Sequence, residues 1–301
     1  MKRIIALFAL AAAVIALVGC GGGTKKVVLI TMDSSDRHWV SVDAGAREEA
    51  DELEGVEYKW MAPDKKDDAQ QIERINNAVA DGAAAILIAV NGPDAVTAAL
   101  KDAQSQGVKI IYVDSPANLK AEAIFATDNE KAGRIAGEEM LKGLKEAGIE
   151  KGKIGIVSVN PSIVSTSLRE KGFRSVVEKA GYEILPTQFG EGETAKSQDI
   201  ADNYISEGCA GIYATNEGCA VGTGNAVKSS GKKVVAVGFD KSDTILALVK
   251  DGSLRCVMAQ NPEVMGRMAM EAAGKLLKGE TIENTDVDTG VSVINKENLK
   301  D

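Results

Sequence analysis

From Lys26 onward the chain alternates apolar, Val- and Ile-rich runs with helical stretches, and it does so in two matching series. The first series covers residues 27–32, 56–61, 84–90, 108–114 and 123–127; the second covers 153–159, 183–189, 210–215, 234–240 and 254–260. Runs that stay apolar on both faces and are separated by helices predict parallel strands covered on both sides. Pro93-Asp94 starts a helix after Asn91-Gly92, and Gly107, Gly181, Gly208, Gly231 and Gly252 stop helices. So many strands exceed what one twisted sheet holds comfortably. Residues 27–114 and 153–240 both read β-α-β-α-β-α-β, with strand-end acids Asp114 and Asp240 in matching places. The expectation is an α/β fold of two doubly wound parallel-sheet lobes. No Pro- or Gly-rich linker separates the halves, so the connections are expected to be short hinge strands.

The start of the chain reads differently. Lys2-Arg3 precedes an unbroken apolar stretch from Ile4 to Val18, which closes in Leu17-Val18-Gly19-Cys20. A basic start, a short apolar core and small residues before a cut describe a secretory signal. The apolar run is also shorter than the ~20 residues of a membrane-spanning helix. A cysteine directly after Leu-x-Gly resembles the bacterial lipobox, which implies cleavage before Cys20 and lipid on its sulfur. Residues 1–19 are then a signal peptide and 20–25 a lipid anchor and tether containing Gly21-Gly22-Gly23. Each buried methylene contributes about 0.8 kcal/mol, so several acyl chains hold firmly where one does not. The expected location is extracytoplasmic, lipid-anchored to the cell membrane at a bacterial surface or in a periplasm.

Charge narrows the partners. The chain carries 35 basic against 44 acidic residues, net −9, and the signal removes two bases and no acid. Binding to nucleic acid or to anionic lipid needs clustered Lys and Arg, which this balance does not supply. Beyond Cys20, the cysteines Cys209, Cys219 and Cys256 form an odd set without metal-like spacing. Cys209 and Cys219 flank the strand-like run at 211–215, too far apart to bridge. They read as small buried apolar residues.

Doubly wound sheets bind ligands at the carboxyl ends of their strands, near topological switch points. That rule selects Asp33-Ser34-Ser35-Asp36-Arg37-His38-Trp39, Asn91-Gly92-Pro93-Asp94 and Asp114-Ser115 in the first half. In the second half it selects Asn160-Pro161-Ser162, Phe189-Gly190, Asn216-Glu217, Asp240 and Gln260. Asp, Asn and Gln suit neutral polyols: a carboxylate accepts two hydroxyl protons, and an amide donates and accepts at once. Aromatics are only 4% of the chain, so Trp39 beside this polar set is notable. Its ring either packs on the apolar face of a sugar or joins the core behind Val40, Ala44 and Ala50.

At these residues the chain resembles the bacterial solute-binding proteins of the ribose/galactose type, periplasmic binding proteins of type I, which share their core with LacI-type regulators. The resemblance spans almost all of 26–301. It rests on Asp36-Arg37-His38-Trp39, Val113-Asp114, Ala126-Thr127-Asp128-Asn129 with Gly133 and Gly137, and Arg169-Glu170-Lys171-Gly172-Phe173. It continues in Ala214-Thr215-Asn216-Glu217, Val237-Gly238-Phe239-Asp240 and Ala259-Gln260-Asn261-Pro262. The resemblance implies a clamshell joined by three hinge crossovers, at Thr127-Asp128, Gln260-Asn261 and near Gly290. The lobes would be 26–127 plus 261–289 and 128–260 plus 290–301. It implies capture of a small neutral sugar or polyol, a pentose or hexose, and delivery to the permease and ATPase of an ABC importer. The protein is expected to be a monomer, with a chemoreceptor as a further partner. Asp36, Asp114, Asn216, Asp240 and Gln260 fall on family sugar contacts, Trp39 on a stacking aromatic, and His38 where several relatives carry Phe; Phe189 is a further candidate wall.

Two departures bear on the guest. Ser115 stands where ribose binders have an Arg, and Ser167 stands at or near a second one. Two lost guanidinium groups make the cleft read as more acidic and roomier than a ribose pocket, which leaves a furanosyl signal molecule or a polyol such as inositol as alternatives. A sugar-modifying enzyme is disfavoured. His38 is the only histidine, no G-x-S-x-G is present, and a base without a nucleophile or acid partner does no chemistry. No cofactor or metal is expected: zinc takes three or four ligands, commonly His and Cys. The stretch 218–224 lacks the order of a nucleotide loop. The charge run Asp64-Lys65-Lys66-Asp67-Asp68 reads as a solvated helix start. A regulator needs an N-terminal helix-turn-helix where the signal and Cys20 stand.

Overall fold

The computed structural model describes residues 23–299. Cys20 and the signal segment lie outside the described residues, and among those described no helix is long and apolar enough to cross a membrane. The chain opens with β1 (Lys25–Ile30), α1 (Arg37–Glu52), β2 (Val56–Met61), α2 (Asp68–Ala80), β3 (Ala83–Ile88), α3 (Pro93–Ser105), β4 (Lys109–Val113) and β5 (Ala123–Ala126). It continues through α4 (Asn129–Glu146), β6 (Lys153–Ser158), α5 (Val164–Val177), β7 (Glu183–Ile184), β8 (Gln188–Phe189), α6 (Thr194–Ser206), β9 (Gly211–Ala214) and α7 (Glu217–Ser230). The last elements are β10 (Val235–Phe239), α8 (Asp243–Asp251), β11 (Cys256–Gln260), α9 (Pro262–Leu277), β12 (Asp286–Asp288) and β13 (Val291–Asn295).

These strands form two sheets, in the orders β12-β5-β4-β3-β1-β2 and β13-β11-β10-β9-β6-β7, with β8 also on β6. All pairings are parallel except β11 with β13. Leaving out β12 and β13, each sheet has the same winding, with its switch point between β1 and β3 or between β6 and β9. The apolar runs are buried as their composition requires: Val27, Val28, Leu29 and Ile30 of β1 are all sealed, as are Ile86, Leu87 and Ile88 of β3. The edge strand β2 alternates half-buried and exposed residues instead.

The chain passes from the first sheet to the second after β5, returns after β11, and crosses again between β12 and β13. Two expectations are corrected. The run 183–189 is two short pieces, because Pro186 has no N–H for a ladder and interrupts an edge. The strands β12 and β13 were not anticipated: Asp286-Val287-Asp288 is polar and half-buried at most, and the alternation Val291–Asn295 is short and nowhere fully buried. The helix α5 packs on α4 through glycine. A Cβ on Gly133 would meet Arg169 O at 2.0 Å, and one on Gly172 would meet Glu130 O at 2.1 Å, so only bare Cα atoms allow the approach that sets α5 over the strand tips. Cys209, Cys219 and Cys256 are buried free thiols.

Candidate ligand site between the two sheets

The residues that end the strands of both sheets meet in one slot, lined among others by Asp36, His38, Trp39, Asp114, Asn216, Asp240 and Gln260. Each is placed by a local device. Asp36 caps α1, its Oδ1 accepting the His38 N–H at 3.0 Å. Asp33 shapes the turn before it, its Oδ1 accepting from Ser35 N and Asp36 N, both at 2.8 Å. Asn216 caps α7 by accepting the Cys219 N–H at 3.1 Å. Asp114 and Asp240 end β4 and β10 with φ of 63° and 74°, a left-handed turn that side chains other than Asn and Asp rarely take.

His38 is the centre of the charge pattern. Its ring is buried, with Nε2 3.2 Å from Asp114 Oδ2 and Nδ1 3.7 Å from Asp240 Oδ1. These are ion-pair contacts: Nε2 has no aligned hydrogen-bond partner. Burial works against a charge on the ring, but the contact with Asp114 and the fields of Asp114, Asp240 and Asp36 prevail and lift its pKa to about 9. Burial likewise works against ionised Asp114, yet His38, Arg169 and the Ser115 hydroxyl hold it down at about 2. Ser115 Oγ lies 2.7 Å from Asp114 Oδ1 and 3.0 Å from Ser165 Oγ, which joins the first sheet's strand tip to α5.

Two cations in the slot were not singled out from sequence. Lys66, from the charged run before α2, turns inward and places Nζ 2.7 Å from Asp33 Oδ2 and 3.5 Å from Asp36 Oδ2. Arg169 is sealed under the slot. Its Nε donates to Asn129 Oδ1 and its Nη1 to Thr215 O, both at 2.8 Å, its Nη2 lies 4.0 Å from Asp114 Oδ2, and its guanidinium covers the Phe239 ring at 3.8 Å. The cleft therefore holds two cations besides His38, and its walls stand close together. The lining side chains leave about 30 Å³ between them, space for one or two waters. A groove of about 250 Å³ leads outward from His38 and Asp240 past Lys241, Asn261 and Glu263.

Two sequence candidates lie elsewhere. Ser167 is exposed on the outer face of α5, its hydroxyl 3.4 Å from Pro161 O. The helical register turns Ser165, Thr166 and Arg169 toward the slot instead. Phe189 is 41% exposed on the edge piece β8 and does not line the slot. Trp39 satisfies both of its readings: it is 4% exposed, joins the core cluster and lines the slot, edge-on to His38 at 4.6 Å. Its Nε1, with Gln260 Oε1, is a buried polar atom without a partner. Gln260 Nε2 donates to Asp240 Oδ1 at 2.6 Å. Buried polar groups usually have a hydrogen-bond partner, so these two stand out beside the slot.

Comparison with known proteins gives a consistent picture. Residues 27–281 match the family described as periplasmic binding protein domain. The chain is similar to the ribose import binding protein of Bacillus subtilis, 28% identical over 87% of this chain and 86% of that one. Its fold matches a carbohydrate transporter solute binding protein from Agrobacterium radiobacter in complex with D-arabinose, with TM-score 0.87 and 29% identity over 92% of this chain and 96% of that one. It also matches an ABC transporter solute binding protein from Agrobacterium vitis with bound D-fucose, with TM-score 0.86 and 28% identity over 91% and 96% of the two chains.

Proposed function

The chain belongs to the periplasmic binding protein family, and from that premise we propose that it captures a small sugar or polyol in the slot between its sheets and delivers it to an ABC permease. The relatives matched are extracytoplasmic solute-binding proteins of ABC importers rather than enzymes. The observation that carries the reading is the convergence of Asp36 and Asp114 from one sheet with Asn216, Asp240 and Gln260 from the other. Five acceptor-bearing side chains from two separately wound sheets meet only where a guest is gripped from both sides.

We divide the chain into lobes of 26–127 plus 261–289 and 128–260 plus 290–301. Asp36, Trp39 and Asp114 present the guest, and Asn216, Asp240 and Gln260 close over it. The crossovers that turn are Thr127-Asp128, Gln260-Asn261 and Gly290. They are tied to one another by Asp128 N on Asp288 Oδ1 at 3.0 Å, Asn261 Nδ2 on Thr289 O at 2.7 Å and Thr127 Oγ1 on Gly290 O at 3.4 Å. Gly290 sits at φ 82°, where glycine turns without strain. A guest biases this equilibrium only by its extra affinity for the closed state. The protein works as a monomer, lipid-anchored through Cys20, with the importer's permease and ATPase as partners and a chemoreceptor as a second reader of the closed form.

Calorimetric titration of the protein from residue 26 onward against pentoses, hexoses, inositols and furanosyl signal molecules tests the reading. Saturable one-to-one binding with the guest recovered unchanged is expected. Turnover of the guest, or no binding across the panel, overturns it.

A further inference from the structure

The two carboxylates best placed to hold a guest are already engaged, and by a cation. Asp114 ends β4 and Asp240 ends β10, on opposite sheets, and the His38 ring stands between them at 3.2 and 3.7 Å. The ring fits by charge more than by hydrogen-bond geometry, since Nε2 is unaligned. Around the ring the slot leaves about 30 Å³, and the further space lies on its outer side, in the groove of about 250 Å³ that His38 and Asp240 also bound. A guest that displaces the ring inherits two buried carboxylates with no charge between them.

No other cation stands ready to replace it. Lys66 is held by Asp33 and Asp36. Arg169 is anchored by Asn129 and Thr215 and reaches only toward Asp114. Among the described residues, the ion-pair partner of Asp240 is His38. Glu217 adds a proton rather than a further charge: burial and the neighbouring charges of Asp36 and Asp240 drive its pKa up to about 8, so it is mostly protonated at pH 7. Gln260 Oε1, on the same wall, is a buried acceptor without a donor. Hydroxyl groups supply donors but leave the charge uncompensated. An ammonium supplies three donors and a positive charge at once, in surroundings of low polarity where opposite charges attract far more strongly than in water.

We propose that the guest is an aminated sugar or polyol whose ammonium takes the place of the His38 ring between Asp114 and Asp240. This rests on the sugar-capture reading above and narrows its ligand class, away from the neutral sugars bound by the solved relatives. His38 is then an internal stand-in for the guest's charge, and it swings toward the outer groove when the guest enters.

The test is calorimetric titration at pH 7 with matched pairs, D-glucosamine against D-glucose and D-galactosamine against D-galactose, beside a panel of neutral pentoses, hexoses and inositols. The amine of at least one pair is expected to bind tenfold or more tightly than its parent. His38→Phe, which removes the competing cation, should tighten the amine further, and Asp240→Asn should erase the preference. A neutral sugar binding as tightly as the best amine, or tighter, overturns the inference and leaves sugar capture standing. No saturable binding by either class overturns sugar capture and this inference with it.

Discussion

Replacing His38 by Phe removes the ring charge while keeping a planar ring of similar size, and its consequence for stability can be worked out. The pKa of His38 rises from an ordinary 6.5 to about 9 in the folded protein. A group whose folded value is raised stabilises the fold fully below its unfolded value and loses that contribution as pH climbs through the folded one. At 1.36 kcal/mol per unit, the interval is worth about 3 kcal/mol. The wild type should therefore lose about 3 kcal/mol relative to His38→Phe between pH 6.5 and 9, with little further divergence above. The charged groups facing the ring are Asp114, Asp240 and Asp36, with Arg169 and Lys66 behind the carboxylates; Glu217 also titrates in this window, but it does so in both proteins. Urea denaturation at half-unit pH steps measures the difference. The absolute stability of the variant does not matter, because its Phe packs differently; the slope does. Parallel curves from pH 6.5 to 9 would refute the bridge between Asp114 and Asp240.

Four further outcomes follow from the geometry. Asp240→Asn keeps a residue that accepts the left-handed φ of 74° but removes a charged acceptor; guest affinity should fall by about 1.5–3 kcal/mol, roughly ten- to a hundredfold by calorimetry, and an unchanged Kd would remove Asp240 from the site. Lys66→Met leaves Asp33 and Asp36 buried without their cation, at a cost of about 3 kcal/mol in denaturation at pH 7; Asp33 is held below its ordinary value of 3.8, so the cost should shrink as acid protonates it, and a pH-independent cost would contradict the pairing. Gly133→Ala drives a Cβ to 2.0 Å from Arg169 O, so about 1–3 kcal/mol of stability should be lost with weaker guest binding, and an unchanged melting temperature would show that α4 and α5 are not so close. Ser167→Ala and Phe189→Ala should leave the Kd within about twofold, since neither side chain lines the slot; a tenfold loss in either would restore the sequence-based placement.

What the sequence disclosed depended on the kind of constraint. Strands sealed on both faces must be apolar throughout, so β1, β3 and β6 are legible as uninterrupted runs. Edge pieces carry no such requirement, and β12 and β13 were recognisable only as a crossover near Gly290. The strand-tip rule selected Asp36, Asp114, Asn216, Asp240 and Gln260, which line one slot, because topology alone fixes where such tips point. The cations were harder to read. Lys66 sits in a run of alternating charge that is mostly surface, with Lys65 lying across from Asp67 near solvent, and nothing in the spacing says that one lysine turns inward to Asp33. Arg169 carried a family motif, yet its approach to Asp114 depends on α4 and α5 packing through Gly133 and Gly172. Ser167 was misplaced by a register error: on a helix a shift of one or two residues moves a side chain from the inner face to the outer.

The backbone gives an independent reason to regard the slot as selected for function. Among the described residues, the non-glycine positions with positive φ are Asp114, Glu191 and Asp240. Glu191 is exposed in a turn between Gly190 and Gly192, where little opposes it. Asp114 and Asp240 are buried at equivalent strand ends, where left-handed backbone carries a cost of order 1 kcal/mol each. A carboxylate stands twice at the points where the two sheets approach, and this placement supports the proposed site. The turn that holds each of them ends its strand early and carries the side chain across the tip, toward the other sheet. Asp114 faces the His38 ring from one side and Asp240 from the other. On the proposed function, one guest group touches both carboxylates when the sheets are together, and recognition is then coupled to closure.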